Sequence, residues 1–175
     1  MTMMWLVPWL WMSCSPAPAP CEQTGNELDA CAPALALPGA DGSMWSLADQ
    51  RQRVVLVQFS AAWCGTCQQQ ASVHERLYAE WETDGFVSVT VLKGDENFEA
   101  PTEEDAVAWK DYFGITHPVL FDEERTAWRT WKREVNSLPQ LFLVDGEGAI
   151  RWRKIGMYDE EAFREVVERE LKRLD

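Results

Sequence analysis

The sequence predicts an α/β fold in which a mixed central β-sheet is flanked by helices on both faces. Three observations support this prediction. Residues 54–59 form a nearly continuous apolar run, which is typical of a strand buried on both faces. Helix-like and strand-like segments alternate along the chain after this run. The turn residues 145–148 then predict a closing β-hairpin, and an amphipathic segment follows it.

The elements after the first strand are predicted from residue spacing. A helix is expected over 67–81, with one side formed by Ala71, His74, Leu77, Tyr78 and Trp81. Residues 86–92 alternate and are rich in Val, which predicts a strand. Thr102 and the acidic residues after it predict the start of a helix that ends at Gly114 and carries Ala106, Trp109, Tyr112 and Phe113. Residues 118–121 predict a short strand.

The last part of the chain is predicted to contain a short helix, the hairpin and a final helix. Asp122 is expected to begin the short helix, with three residues turned inward: Trp128, Trp131 and Val135. The hairpin strands are expected at 140–144 and 149–154. The final helix is expected over 159–174, and it would bury Phe163, Val166, Val167, Leu171 and Leu174.

The N-terminal residues 1–13 are apolar and contain no charged side chain. They are too few to span a bilayer, which takes about 20 apolar residues, but they have the length of a signal-peptide core. With Ser13 and Cys14 they resemble a bacterial lipoprotein signal, which implies export to the cell envelope or periplasm and lipidation of Cys14. Trp11 and Met12 depart from that signal, so a start further upstream, cleavage elsewhere and an uncleaved anchor are the alternatives.

The alternating prolines at 16–20 favour extended polyproline II and predict a tether. We therefore expect three parts: a signal-like segment at 1–13, a Pro-rich tether and cysteine-containing leader at 14–31, and one domain at 32–175. The net charge of −13 argues against nucleic acid as a partner. The acidic stretch 95–105 is either a solvated approach to a helix or a surface for a basic partner.

Four cysteines remain when Cys14 is assigned to lipid, and they form two pairs. In an oxidising compartment Cys21 and Cys31 can form a disulfide that closes a short loop. The alternative is that both are unpaired in a flexible leader. No metal site is expected, because the spacing of these cysteines is not that of zinc ligands.

The second pair, Cys64 and Cys67, follows the buried strand directly and opens a helix. A cysteine at a helix N-terminus faces unsatisfied N–H groups and the positive end of the helix dipole, which favour its thiolate. Its pKa is therefore expected to fall from ~8.5 toward roughly 3.5–7.5, which makes Cys64 the nucleophile. Cys67 lies one turn later on the same face, which suits a resolving thiol.

Residues 54–67 resemble the strand and active-site segment of the thioredoxin superfamily. The lead-in at 32–49 resembles that of the TlpA/ResA-like, redoxin-type branch, and the segment 137–145 resembles the superfamily segment that contains a cis-proline. The resemblance covers residues 32–175. The resemblance implies a three-layer thioredoxin-like fold and a thiol–disulfide oxidoreductase that needs no cofactor. It implies protein thiol and disulfide substrates, a possible membrane electron donor, and a cis-proline at Pro139. Substrate would then bind against Trp63, Leu138 and Pro139.

Two departures from the family affect proton transfer. Gln58 stands where many thioredoxins carry a buried acid, and Gln70 follows the motif where relatives often have an acid or a proline nearby. Proton transfer to Cys67 would then use water or another group, for which the candidates are His74, Glu75 and Lys93.

Three alternative functions follow from the same residues. A peroxiredoxin-type thiol peroxidase would carry Thr three residues before the reactive cysteine, where this chain has Ala61. A copper chaperone would use Cys64, Cys67 and His117, although such proteins favour a longer spacing between the cysteines. A thioredoxin-like module that only binds a partner is the third.

Overall fold

The computed structural model describes residues 21–174, so the signal-like segment, Cys14 and the prolines at 16–20 lie outside the described residues. Within the described range the chain forms seven strands and four α-helices. The strands are β1 (Ala36–Pro38), β2 (Met44–Ser46), β3 (Val54–Ser60), β4 (Phe86–Leu92), β5 (Val119–Phe121), β6 (Gln140–Val144) and β7 (Ile150–Ile155). The helices are α1 (Gly65–Trp81), α2 (Glu103–Phe113), α3 (Thr126–Trp131) and α4 (Glu160–Leu171).

Five strands form the central sheet in the order β5-β4-β3-β6-β7. Strands β3, β4 and β5 run parallel, whereas β6 and β7 pair antiparallel. The predicted mixed sheet is therefore confirmed. Every residue of the central strand β3 is buried, which explains why its sequence is an apolar run rather than an alternating one.

Helices cover both faces of the sheet, as predicted. On one face α1 and α4 pack over β3 and its neighbours, through residues that include Leu77 and Phe163. On the other face Trp128 and Trp131 of α3 contact Phe59 of β3, with ring centroids 5.7 and 5.8 Å apart. In the described part of the chain, no helix is both long and apolar enough to cross a membrane.

One predicted inward position is wrong. Val135 is 47% exposed because α3 ends at Trp131. On α2, Ala106 and Trp109 are buried, whereas Tyr112 is 83% exposed. The short helix also begins later than predicted. The buried carboxylate of Asp122 accepts hydrogen bonds from the backbone N–H groups of Ala127 and Trp128, at 3.3 and 2.7 Å. Asp122 thus satisfies the N-terminal donors of α3 from outside the helix.

The N-terminal segment packs across the face that α3 covers and adds an antiparallel ribbon, β1–β2, which the sequence did not predict. At one outer strand of the sheet, Gly39 bridges Leu120 of β5. At the other, Cys31 bridges Ala149, next to β7, and Asp29 donates its N–H to the carbonyl of Ile150 at 2.8 Å.

The leader 21–31 is attached to the domain rather than separate from it. Cys21 and Cys31 are joined by a disulfide with 5.0 Å between their Cα atoms. Arg151 of β7 pairs with Asp29 at 2.7 Å, and Arg153 pairs with Glu27. Residues 21–31 therefore pack against the edge of the sheet at β7.

We expect the double variant Cys21→Ser/Cys31→Ser to lose roughly 2–3 kcal/mol of unfolding free energy, because the bond restricts a loop of about ten residues in the unfolded chain. Urea unfolding under oxidising conditions measures this loss. The control repeats both titrations in excess dithiothreitol, where the difference should vanish because neither protein then holds the bond. Equal midpoints under oxidising conditions would contradict a stabilising role.

Candidate active site

Cys64 and Cys67 lie where the chain passes from β3 into α1. Cys64 occupies the N-cap position of the helix, and its sulfur accepts a hydrogen bond from the N–H of Cys67 at 3.2 Å. The two residues are joined by a disulfide, with 5.2 Å between their Cα atoms. Cys64 is 6% exposed and Cys67 is fully buried. Their unequal exposure matches an attacking and a resolving thiol.

Two of the three residues predicted to bind substrate pack close to this pair. Trp63 and Leu138 are partly buried and pack against the apolar cluster that contains Cys64 and Cys67. The Leu138–Pro139 peptide bond is cis. The carbonyl of Pro139 accepts the N–H of Gly156 at 2.9 Å, which fixes the chain just before β6.

The outer side of Trp63 is covered by residues from the loop after β4. Phe98 stacks on the Trp63 ring with a centroid distance of 4.9 Å and an interplanar angle of 24°. The ammonium group of Lys93 lies 5.5 Å from the Trp63 ring and 5.0 Å from that of Trp128. Burial lowers the pKa of Lys93, and Arg125 and Lys132 add to this. The faces of the two aromatic rings oppose this effect, because they attract the ammonium group that lies between them.

Glu75 is held in a hydrogen-bond network with Thr116 and His117. Its carboxylate accepts hydrogen bonds from the N–H of Thr116 at 2.9 Å, the Thr116 hydroxyl at 2.6 Å and Nδ1 of His117 at 2.9 Å. Burial alone would raise the pKa of Glu75, but the hydrogen bonds from His117 and Thr116 lower it to about 2. Glu75 therefore stays ionised and anchors the entry to β5.

His117 uses both ring nitrogens inside this network. Nδ1 donates to Glu75, and Nε2 accepts the Thr90 hydroxyl at 3.1 Å, which is the arrangement of a neutral imidazole. Burial lowers the pKa of His117, against the opposing effect of Glu75. Because each nitrogen is occupied, His117 is poorly placed to serve as the copper ligand of the alternative function.

Two buried polar side chains, His74 of α1 and Gln58 of β3, lie between α1 and the sheet. His74 is completely buried and stacks on Tyr158, with ring centroids 5.9 Å apart and an interplanar angle of 9°. Burial lowers the pKa of His74 to about 3, and His117 contributes. Gln58 of β3 is also buried, and neither its side chain nor the His74 ring has a hydrogen-bond partner among residues 21–174. Of the proton-transfer candidates, only His74 lies on the same helix face as Cys67.

Residues 28–153 match the AhpC/TSA family, which is most of the chain. The chain belongs to this family. One relative is the thiol-disulfide oxidoreductase ResA of Geobacillus thermodenitrificans, 23% identical over 84% of this chain and 80% of its own. Another, from Mycobacterium tuberculosis, is a candidate peroxiredoxin, 33% identical over 68% of this chain and 78% of its own.

A solved structure gives the same fold. The crystal structure of a candidate DsbE-type thiol:disulfide interchange protein from Chlorobium tepidum has a TM-score of 0.70 and 26% identity, covering 86% of this chain and 99% of that one. The predicted thioredoxin-like fold is confirmed. The predicted oxidoreductase class is confirmed as well, by this similarity together with the ResA relative and the bonded cysteine pair.

Two features of the site were absent from the sequence interpretation. Phe98 lies in a polar, acidic stretch, where no periodicity marks it as an aromatic partner of Trp63. Tyr158 follows the hairpin and reaches His74 only through the fold. Neither contact has a local sequence signal, because both join residues far apart in the chain.

The burial of His74 predicts a pH-dependent stability. Its folded pKa of about 3 lies below the ordinary 6.5, so the unfolded chain binds the extra proton as pH falls. Stability from this residue is complete above pH 6.5 and declines toward pH 3. We expect a loss of roughly 1 kcal/mol per pH unit below pH 6.5, which His74→Phe removes.

Urea midpoints across that range test this expectation. Tyr158→Phe is the matched control, because it keeps the stacked ring and should keep the wild-type slope. An unchanged slope in His74→Phe would contradict the assignment of the slope to His74.

Proposed function

We propose that the protein catalyses thiol–disulfide exchange on protein substrates through Cys64 and Cys67. The observation that supports this most directly is the position of the bonded pair, with Cys64 at the N-cap of α1 and Cys67 buried behind it. The N–H of Cys67 that reaches the Cys64 sulfur can stabilise negative charge on that atom once the bond is reduced.

The exchange passes two electrons from the dithiol to the substrate disulfide. The Cys64 thiolate attacks one substrate sulfur, the substrate S–S bond breaks, and the other substrate sulfur leaves as a thiolate. The Cys67 thiol gives up its proton, which the departing thiolate takes, and its sulfur attacks Cys64 in the mixed disulfide. The bond between Cys64 and the substrate breaks, the second substrate sulfur leaves as a thiolate, and the Cys64–Cys67 bond forms. The reverse sequence oxidises a substrate dithiol.

Trp63, Leu138 and Pro139 are the proposed substrate-binding residues. Trp63 and Leu138 both contact the cluster around the dithiol and are only partly buried, so a substrate can reach them. Leu138 precedes β6, so its backbone lies beyond the paired part of that strand. An extended substrate segment can add to the chain there, as an additional strand would.

We infer further that the protein works outside the cytoplasm, anchored by lipid on Cys14. The Cys21–Cys31 disulfide supports export, because a reducing cytosol does not normally retain such bonds. The apolar residues 1–13 and the alternating prolines at 16–20 support a lipoprotein signal and a tether. A net reductase in an oxidising compartment needs electrons from a donor, which we place in the membrane.

Protein extracted from membranes is expected to begin at Cys14 and to carry acyl chains, and mass spectrometry of its N-terminal peptide measures this. Cys14→Ser should move the protein to the soluble fraction, whereas Ser15→Ala should leave it in the membrane. An unmodified N-terminus at another residue would contradict lipidation.

We expect reduced protein to cleave the disulfides of insulin, and either Cys64→Ser or Cys67→Ser to abolish turnover. The Cys67→Ser variant should still form a mixed disulfide through Cys64, because only the resolving step is lost. Mass spectrometry detects this adduct. An adduct formed by Cys64→Ser but not by Cys67→Ser would reverse the two roles.

A thiol peroxidase is the second candidate, favoured by the AhpC/TSA family and the relative with 33% identity. Ala61 supplies no hydroxyl where the peroxiredoxin resemblance calls for Thr, so the site favours disulfide exchange. Peroxide consumption, measured on the sample that is active on insulin, distinguishes a peroxidase from a disulfide oxidoreductase. Cu(I) titration of the same sample tests the copper-chaperone alternative. Faster turnover of peroxide than of insulin would favour the peroxidase.

A further inference from the structure

Phe98 has an unusual combination of exposure, aromatic contact and backbone conformation. Its side chain is 68% exposed and lies flat against Trp63, which directly precedes Cys64. Its backbone φ is +67°, a left-handed conformation that bulky side chains rarely adopt. An exposed aromatic ring in a strained backbone conformation needs surrounding contacts that hold it there.

The loop around Phe98 supplies those contacts. The Asp95 carboxylate accepts the N–H groups of Asn97 and Glu99, at 2.9 and 2.7 Å. The Arg125 guanidinium donates to the carbonyls of Lys93 and Phe98, at 3.1 and 3.0 Å. The loop is therefore fixed on both sides of Phe98, and the Trp63–Phe98 pair forms a rigid apolar platform beside Cys64.

An acidic groove adjoins this platform. A cavity of about 300 Å³ lies between the turn after β3 and α2, and its lining includes Ala62, Gln68, Glu96, Asp105 and Tyr112. The same cavity is lined by Trp109, which is 5% exposed and whose indole N–H has no partner among the described residues. Trp109 thus places a buried donor without a partner among the described residues in the wall of the groove.

The charges around the groove are unbalanced. Residues 95–105 carry six acidic side chains: Asp95, Glu96, Glu99, Glu103, Glu104 and Asp105. The nearby cations Lys93 and Arg125 form no ion pair with these carboxylates and offset only part of their charge, because Lys93 lies between two aromatic rings and Arg125 donates to backbone carbonyls. A segment with Lys or Arg complements this surface, and an acidic segment is repelled.

We propose that the docking surface formed by Trp63, Phe98 and the groove along α2 selects substrate segments that carry Lys or Arg next to an apolar residue. The apolar side chain packs on the Trp63–Phe98 platform, and the basic side chain enters the groove beside Glu96. This inference rests on the proposed disulfide exchange at Cys64 and names the class of polypeptide that reaches it.

The test uses the full-length protein and three disulfides. Two are peptides with the same disulfide and the same neighbouring Leu, one flanked by Lys and the other by Glu. The third is hydroxyethyl disulfide, which is small and uncharged. We expect wild type to react about fivefold or more faster with the Lys peptide than with the Glu peptide, and this preference should shrink at high salt.

Two variants, each with a matched control, test whether the proposed docking surface causes the preference for the Lys peptide. Phe98→Ala should lower the rate with the Lys peptide, relative to hydroxyethyl disulfide, by about two- to tenfold. Glu96→Lys should reduce the ratio of the Lys to the Glu peptide. Met44→Ala, at an equally exposed side chain, and Glu165→Lys, on α4, should leave both ratios unchanged.

The outcomes separate this inference from the proposed function. Equal rates with the two peptides, in a protein that still exchanges with hydroxyethyl disulfide, would overturn the docking surface alone. A preference that survives both Phe98→Ala and Glu96→Lys would do the same, because another surface would then carry it. Failure to react with all three disulfides would overturn disulfide exchange itself.

Discussion

The position of the redox pair depends on the complete burial of β3. Alternate side chains of this strand face two different layers, α1 and α4 on one side and α3 on the other. A shift of one residue would exchange these faces, so the strand has one register. The end of β3 at Ser60 fixes the start of the turn that brings Cys64 to the N-cap of α1. The packing of the core around β3 therefore determines where the two cysteines lie.

Elements with local signals were predictable from sequence, and elements that depend on neighbours were not. The strand Phe86–Leu92 and the helix Glu103–Phe113 have the predicted bounds, because alternation and a capping box act within a few residues. Sequence spacing predicts that the inward side of α3 includes Val135, but the helix ends at Trp131 and Val135 is exposed. The three-residue strands β1 and β2 are too short for a recognisable pattern.

The same contrast between local sequence signals and dependence on distant neighbours applies to the residues of the active site. Cys64 and Cys67 were predictable because a strand, a tight turn and a helix start are adjacent in sequence. The environments of His74, Glu75 and Lys93 were not, since burial and partners from distant segments decide each one. Glu75 becomes a structural anchor and Lys93 an aromatic-bound cation, while His74 is kept neutral beneath the helix. Gln58, in place of an acid, leaves this interior without a carboxylate on β3.

The N-terminal segment pairs at both outer edges of the central sheet, at Gly39 beside β5 and at Cys31 beside β7. Exposed strand edges offer unpaired N–H and C=O groups on which a second chain can build a continuous sheet. The segment occupies part of each edge, so it works against self-association as well as adding to the core. Removal of residues 21–31 by proteolysis would uncover the edge at β7 and favour aggregation through strand pairing.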